Sequence, residues 1–298
     1  MLSSYFYGAG ATAANILADQ VAILTGETNV ANLSASCDKV NTVIDASVTV
    51  AGWTLHDAAA GTNAVCLKAA MADNASQYKY LVVDTNTAGY IFLKGYETWD
   101  AEGHSGTNLI YRSDGNAYSQ RINTTLGGRL DISASVRHCF AYSYQNGLYG
   151  SSTGTAPCGI LERTRRSPWD TVANGYPPFV FMSGFNTNIS YEPRSLSAAG
   201  SDVVASYAAA TPIHFLGVLT NPSTTVPSDE LKTPKHMMIP FGVARIADGH
   251  LGGDISSLCD IWLTTYNSGS TYDTLVVGSA TYMIWAVAAT WRFAVRKG

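Results

Sequence analysis

From Ala11 to Leu24 the apolar positions Ala13, Ile16, Leu17, Val21 and Leu24 recur at the spacing of one helix face, and Gly26 stands where a helix stops. A second short helix is predicted from Leu33 to Ile44, with Leu33, Cys37, Val40 and Ile44 on one side. After Trp53 the period changes. Short alternating or continuous apolar runs follow one another, separated by Gly, Asn, Asp, Ser and Pro: Trp53–His56, Ala64–Lys68, Tyr78–Val83, Tyr90–Leu93 and Asn108–Arg112. Asp84–Ala88 reads as a hairpin loop. Val136–Tyr144 sets His138, Phe140, Tyr142 and Tyr144 against Arg137, Cys139, Ala141 and Ser143, a strand with an aromatic face. Gln145–Pro178 shows no periodic element and reads as a long exposed loop. Beyond it Phe179–Met182, Ile213–Leu219, Met237–Ile246, Ile261–Thr265, Tyr272–Val277, Tyr282–Val287 and Trp291–Val295 are predicted strands.

The pattern predicts a mainly β protein, with antiparallel sheets in a sandwich or barrel-like arrangement and an N-terminal helical segment. Residues 1–50 form that segment, 51–144 a first β-rich domain, 145–178 an extended loop or arm, and 179–298 a second β-rich part. No fixed-period repeat is present, which argues against a propeller or a parallel β-helix.

Composition sharpens this picture. Only 13% of the residues are charged, while Gly and Tyr number 27 and 17, against about 25% charged residues in an average soluble domain. A surface of small polar groups carries little like-charge repulsion and suits packing against neighbours. The net charge of −4 comes with no basic stripe, so nucleic acid is not an expected partner. The densest basic cluster is Arg163, Arg165 and Arg166, in a polar loop where it serves as a candidate contact patch.

The cysteines Cys37, Cys66, Cys139, Cys158 and Cys259 are scattered and odd in number, with no metal-ligand spacing, and read as buried thiols. No secretory signal is expected at the N-terminus, because the first basic residue is Lys39 and Asp19 interrupts the apolar run. The uncharged window Thr274–Trp291 imitates a membrane span, but Gly278, Ser279, Ala280 and Thr281 break it between two strand-like flanks. No membrane insertion is therefore expected.

Candidate chemistry is sparse. Gly150-Ser151-Ser152-Thr153-Gly154 matches a nucleophile elbow, yet Thr155, Ala156 and Pro157 follow where that device needs a helix. Asp100, Glu102 and His104 stand within one turn and could bind a cation or act as an acid and base pair. Such sites ordinarily draw on distant segments, so the expectation is a solvated turn, with no catalytic residue, metal or cofactor. Trp53, Trp262 and Trp285 lie in apolar strand patterns and are expected to be buried. Trp99 and Trp169 are read as loop residues available for contact.

The order of short motifs carries a resemblance. Gly52-Trp53-Thr54-Leu55-His56-Asp57 is followed by Tyr78-Lys79-Tyr80-Leu81, then Tyr96-Glu97-Thr98-Trp99-Asp100 and Gly106-Thr107-Asn108. The C-terminal stretch carries Tyr282, Ile284, Trp285, Arg292 and Phe293. In this the chain resembles structural proteins of tailed-bacteriophage virions. The resemblance implies a place in the tail, baseplate or neck, assembly with copies of itself and other virion proteins, and no catalytic residue. Two rival readings are a receptor- or carbohydrate-binding tail module using exposed aromatics, and an envelope-degrading hydrolase resting on Asp100, Glu102 and His104.

Overall fold

The computed structural model describes residues 2–49, 52–72, 74–85, 89–112, 120–145, 158–162, 179–182, 207–210, 238–239, 242–245, 251–254, 259–264, 272–287 and 291–297. Strand β1 (Leu2–Tyr7) precedes helix α1 (Ala13–Thr25), a 3-10 turn at Val30–Asn32 and the single helical turn α2 (Ala46–Thr49). A meander follows: β2 (Thr54–Gly61), β3 (Ala64–Ala70), β4 (Tyr78–Asp84), β5 (Tyr90–Asp100), β6 (Ser105–Arg112) and the short β7 (Gln120–Arg121). Next come β8 (Gly128–Ser135), β9 (His138–Gln145), β10 (Cys158–Glu162), β11 (Phe179–Met182), β12 (Tyr207–Ala210), β13 (Met238–Ile239), β14 (Gly242–Arg245) and β15 (Leu251–Asp254). The chain ends with β16 (Ile261–Thr264), β17 (Thr274–Val277), β18 (Ala280–Val287) and β19 (Trp291–Lys297).

The protein is mainly β and antiparallel, with its few helices near the N-terminus, as the periodicity predicts. A central sheet runs β1-β8-β9-β10-β11, and a C-terminal sheet runs β13-β16-β19-β18-β17. The meander β2-β3-β4-β5-β6 curls into a half-barrel, with β7 beside β5, and β12-β14-β15 form a small fourth sheet.

Helix α1 is fixed at both ends by local chemistry. The Thr12 hydroxyl accepts from the Asn15 amide at 3.1 Å and Gly26, at φ +119°, closes the helix in the left-handed region. Its face of Ile16, Leu17, Ile23 and Leu24 enters the main core with Tyr5, Leu130, Ile132 and Ala141 of the central sheet and Leu67, Leu81, Val83 and Leu93 of the half-barrel. One buried polar residue on that face has a structural task. Asp19 accepts from the Tyr5 hydroxyl at 2.5 Å, the Ser34 amide at 2.7 Å and the Ser34 hydroxyl at 2.7 Å, which satisfies the carboxylate and anchors the following loop.

That loop corrects the predicted second helix. Leu33–Ile44 is a series of turns, bridged to β1 at Tyr7–Cys37 and Ser4–Val43. Asp38 accepts from the amides of Val40 and Asn41 and from the Asn41 side chain, offering the backbone a local alternative to helical bonding. Val40, placed by the pattern on the apolar side, is 90% exposed.

The predicted loop 145–178 also needs correcting, because it contains β10, paired with β9 on one side and β11 on the other. A Cβ on Gly159 would lie 1.9 Å from the Cys139 carbonyl oxygen and 2.7 Å from the Phe140 ring, so only glycine fits there. The strand was illegible because it is short and a glycine at its second position interrupts its pattern. The predicted run Met237–Ile246 is divided between β13 and β14, which belong to different sheets. Pro240 stands between them, and proline has no N–H to give a ladder. Strands β1 and β8, not foreseen, pair over Leu2–Tyr7 and Gly128–Ser133. Ile213–Leu219 lies outside the described residues.

The membrane-like window resolves into β17, β18 and the start of β19, and β17 pairs with β18 as a hairpin. No helix among the described residues is long and apolar enough to cross a membrane. Along β18 the successive side chains Tyr282, Met283, Ile284 and Trp285 are all buried, as two covered faces require. Ile284 joins Leu275, Tyr282 and Ala294 on one face. On the other, the Trp285 ring stacks on Tyr142 of the central sheet at 5.1 Å and 13°.

Candidate functional site

The short motifs between Gly52 and Asn108 meet on the half-barrel, while the C-terminal stretch lies in the C-terminal sheet. Trp53 of the first motif is buried in the main core, its indole N–H donating to the Ser135 carbonyl at 3.1 Å. A register shift in β2 between Leu55 and Asp57 lets His56 and Asp57 both reach the far end of β5. The Asp57 carboxylate is buried. Its Oδ2 accepts from the Trp99 indole N–H at 2.9 Å and lies 2.9 Å from His104 Nδ1. Its Oδ1 accepts from the Ala59 amide at 2.8 Å. Burial pushes this carboxyl up, but the bonds from His104, Trp99 and Ala59 outweigh it and hold the group below the ordinary carboxylate range.

The second and third motifs build the wall beside it. Tyr96 and Trp99 meet edge to face with centroids 5.0 Å apart, and both rings lie over Gly106. A Cβ there would sit 2.2 Å from Tyr96 Cδ1 and 2.8 Å from Trp99 Cε3. Glycine at this position therefore makes room for the aromatic pair. Tyr80 stands 5.2 Å from the His56 ring. Beneath these half-buried rings Ala64, Cys66 and Val82 form a small satellite core. Burial, and then the Asp57 charge, push the Cys66 thiol up, so it is an unreactive thiol. Cys37, Cys139 and Cys259 are also buried.

Trp99, expected in a loop, lies in β5 and is half-buried. The candidate cluster of Asp100, Glu102 and His104, expected to be a solvated turn, does not converge on one point. The Asp100 Oδ1 accepts from the Glu102 amide at 2.9 Å, Glu102 stays exposed, and His104, at φ +49°, turns to Asp57 instead. Among the described residues no three His, Cys, Asp or Glu side chains converge as a metal site. Ser152, Arg163, Arg165, Arg166 and Trp169 lie outside the described residues. Sequence reading missed Asp57 as a member of the site, although it closes the first motif. Its signal was a carboxylate in a strand position next to apolar residues.

A second constellation is sealed inside. Ser133 Oγ and Ser135 Oγ lie 3.1 and 2.8 Å from the two ring nitrogens of His138. Ser133 and His138 are 0% and 1% exposed, so no substrate reaches this serine and imidazole pair. Nearby, Lys79 and Glu162 form a fully buried ion pair at 3.2 Å, with the Lys79 ammonium also donating to the Ala70 carbonyl at 2.8 Å. The Ala72 amide in turn donates to the Glu162 carboxylate, so this charge pair is satisfied on both sides and fastens β4 to β10.

No protein-family profile matches the chain, and no characterised protein shows significant sequence similarity to it.

Proposed function

We propose that this chain is a structural protein of a tailed-phage virion, built into the tail apparatus as an oligomer, and that it works by assembly, not catalysis. The observation that carries this reading is the end of the C-terminal sheet. Strand β17 pairs with β18 alone among the described strands and exposes Val276 and Val277, at 64% and 42%. Such an edge is a template for strand addition by another chain. The sparsely charged surface agrees with it, as does the use of Asp57 and His138 for internal fastening. Baseplate, tail tip and neck are the candidate positions, with copies of itself and other virion proteins as the partners.

Size-exclusion chromatography with light scattering tests the reading. The purified protein is expected to form a defined oligomer, and a Val276→Lys, Val277→Lys variant to elute as a folded monomer. A wild type that stays monomeric at high concentration, or a variant that assembles unchanged, would sink it. The half-exposed cluster of His56, Tyr80, Tyr96 and Trp99 favours a second reading, a carbohydrate- or receptor-binding tail module. Binding on a glycan array that is lost in Trp99→Ala would support that reading.

A further inference from the structure

Strands β2 and β5 are separated by β3 and β4 in the hydrogen-bonded order of the half-barrel, yet side chains join them directly. The contacts are Asp57 Oδ2 to Trp99 Nε1, Asp57 Oδ2 to His104 Nδ1, and His56 Nε2 to the Trp99 carbonyl oxygen at 3.5 Å. No backbone ladder crosses this seam among the described residues, so these contacts hold the edge strand β2 against the β5–β6 turn. We propose that the seam is an acid-strengthened latch, tightened when His104 gains a proton opposite the Asp57 carboxylate.

The charges around the seam give the direction. The Asp57 carboxylate is almost shut off from water, whereas the His104 side chain is 48% exposed and open to protons. The titratable and charged neighbours are His56 on β2, Cys66 on β3, Tyr80 on β4, and Asp100 and Glu102 around the turn that carries His104. Lys68 on β3 and Lys94 on β5 share the face of Cys66 and Val82, but the Lys68 ammonium lies over the Tyr78 ring, 5.2 Å from its centroid, and Lys94 pairs with Asp84. A cationic imidazole is therefore the group that offsets Asp57. A neutral ring can still donate from Nδ1, but without the charge, so the bond weakens without breaking. Imidazoles change charge between about pH 5 and 8, and a two-state element biased by such a change is a pH switch. Loosening the seam would free β2, whose Leu55 is already 47% exposed. This inference rests on the half-barrel alone and is independent of the proposed function.

Hydrogen exchange read by NMR tests it on the full chain, because the Ala59 amide and the Trp99 indole N–H both donate to Asp57. After correction for intrinsic exchange rates, both are expected to be about threefold better protected at pH 5.5 than at pH 8, the size of a half-exposed ion pair. His104→Asn tolerates the left-handed backbone and should abolish the difference, whereas His56→Gln should retain it. Equal protection at the two pH values in the wild type, or an unchanged difference in the His104→Asn protein, would overturn the latch. A pH titration of the His104 ring resonances, expected to move together with the Ala59 amide, gives a second readout. Independent titration of the two would also overturn it.

Discussion

The two faces of the central sheet are both buried, and they are buried by different chemistry. One face presents Tyr5, Tyr7, Leu130, Ile132, Ala134, Cys139, Ala141 and Ile160 to α1 and the half-barrel, and it is held by apolar area. The other presents Ser4, Phe6, Arg129, Asp131, Ser133, His138, Phe140 and Tyr142. There Arg129 Nε donates to Asp131 Oδ1 at 2.8 Å and Nη2 to Ser4 Oγ at 2.9 Å, while Ser4 Oγ donates to Asp131 Oδ1 at 2.7 Å. The guanidinium lies 3.6 Å from the Tyr272 ring centroid and 5.0 Å from that of Phe6, and its Nη2 is 2.8 Å from Met283 Sδ. Trp285 closes the layer on Tyr142. Polar side chains on alternate positions of a strand do not make a wet face when a second sheet brings aromatics to cover them.

This contrast is sharpest at Asp131. Its side chain is fully buried, and burial pushes the carboxyl above the ordinary range, with Arg129 and Ser4 offsetting this only in part. Asp131→Ala would leave the Arg129 charge enclosed without its carboxylate and is expected to destabilise the protein by about 3–5 kcal/mol. Replacing the pair together, Arg129→Met with Asp131→Leu, is expected to restore most of that loss, because the pair's desolvation cost vanishes with it. Denaturant unfolding of both variants measures the difference. A double variant as unstable as the single one would show that the ion pair itself, and not its isolated remnant, dominates this layer.

Acid should find the polar face before the apolar one. Burial first, and the nearby Lys79 charge as well, lower the pKa of His138 from 6.5 to about 3. An unfolded chain takes up this proton near 6.5 while the folded one refuses it. The neutral imidazole's contribution is thus fully present above pH 6.5 and is lost as the pH falls toward 3. A His138→Gln variant, still able to bond Ser133 and Ser135, is expected to show a shallower loss of stability across that window, by up to about 1.4 kcal/mol per pH unit. Identical slopes for variant and wild type in urea titrations at several pH values would remove His138 from the explanation.

On the apolar face the smallest effect is expected. Ile132→Val deletes one methylene from the main core and should cost about 1 kcal/mol, with the same value at pH 5 and pH 8. A pH-dependent loss there would mean that the two faces are coupled and that the contrast between them fails.

Much of this was written in the local pattern. The spacing of Ile16, Leu17 and Leu24 with Gly26 sets the first helix, and the alternation from Trp53 onward sets the meander. The doubly apolar run at Tyr282–Trp285 marks a strand covered on both sides, because side-chain period and burial are local properties of a chain. Tertiary structure alone decided the rest. The Leu33–Ile44 segment gave up a helix for side-chain bonds to Asp19 and Asp38. Strand β10 formed around a glycine whose need appears only once Phe140 lies above it. Asp57, Trp99 and His104 became one site because a register shift in β2 and the curl of the half-barrel bring positions 42 and 47 residues apart to a shared carboxylate. A sequence records which residues prefer water. It does not record which faces will be covered, since that depends on contacts whose partners lie far along the chain.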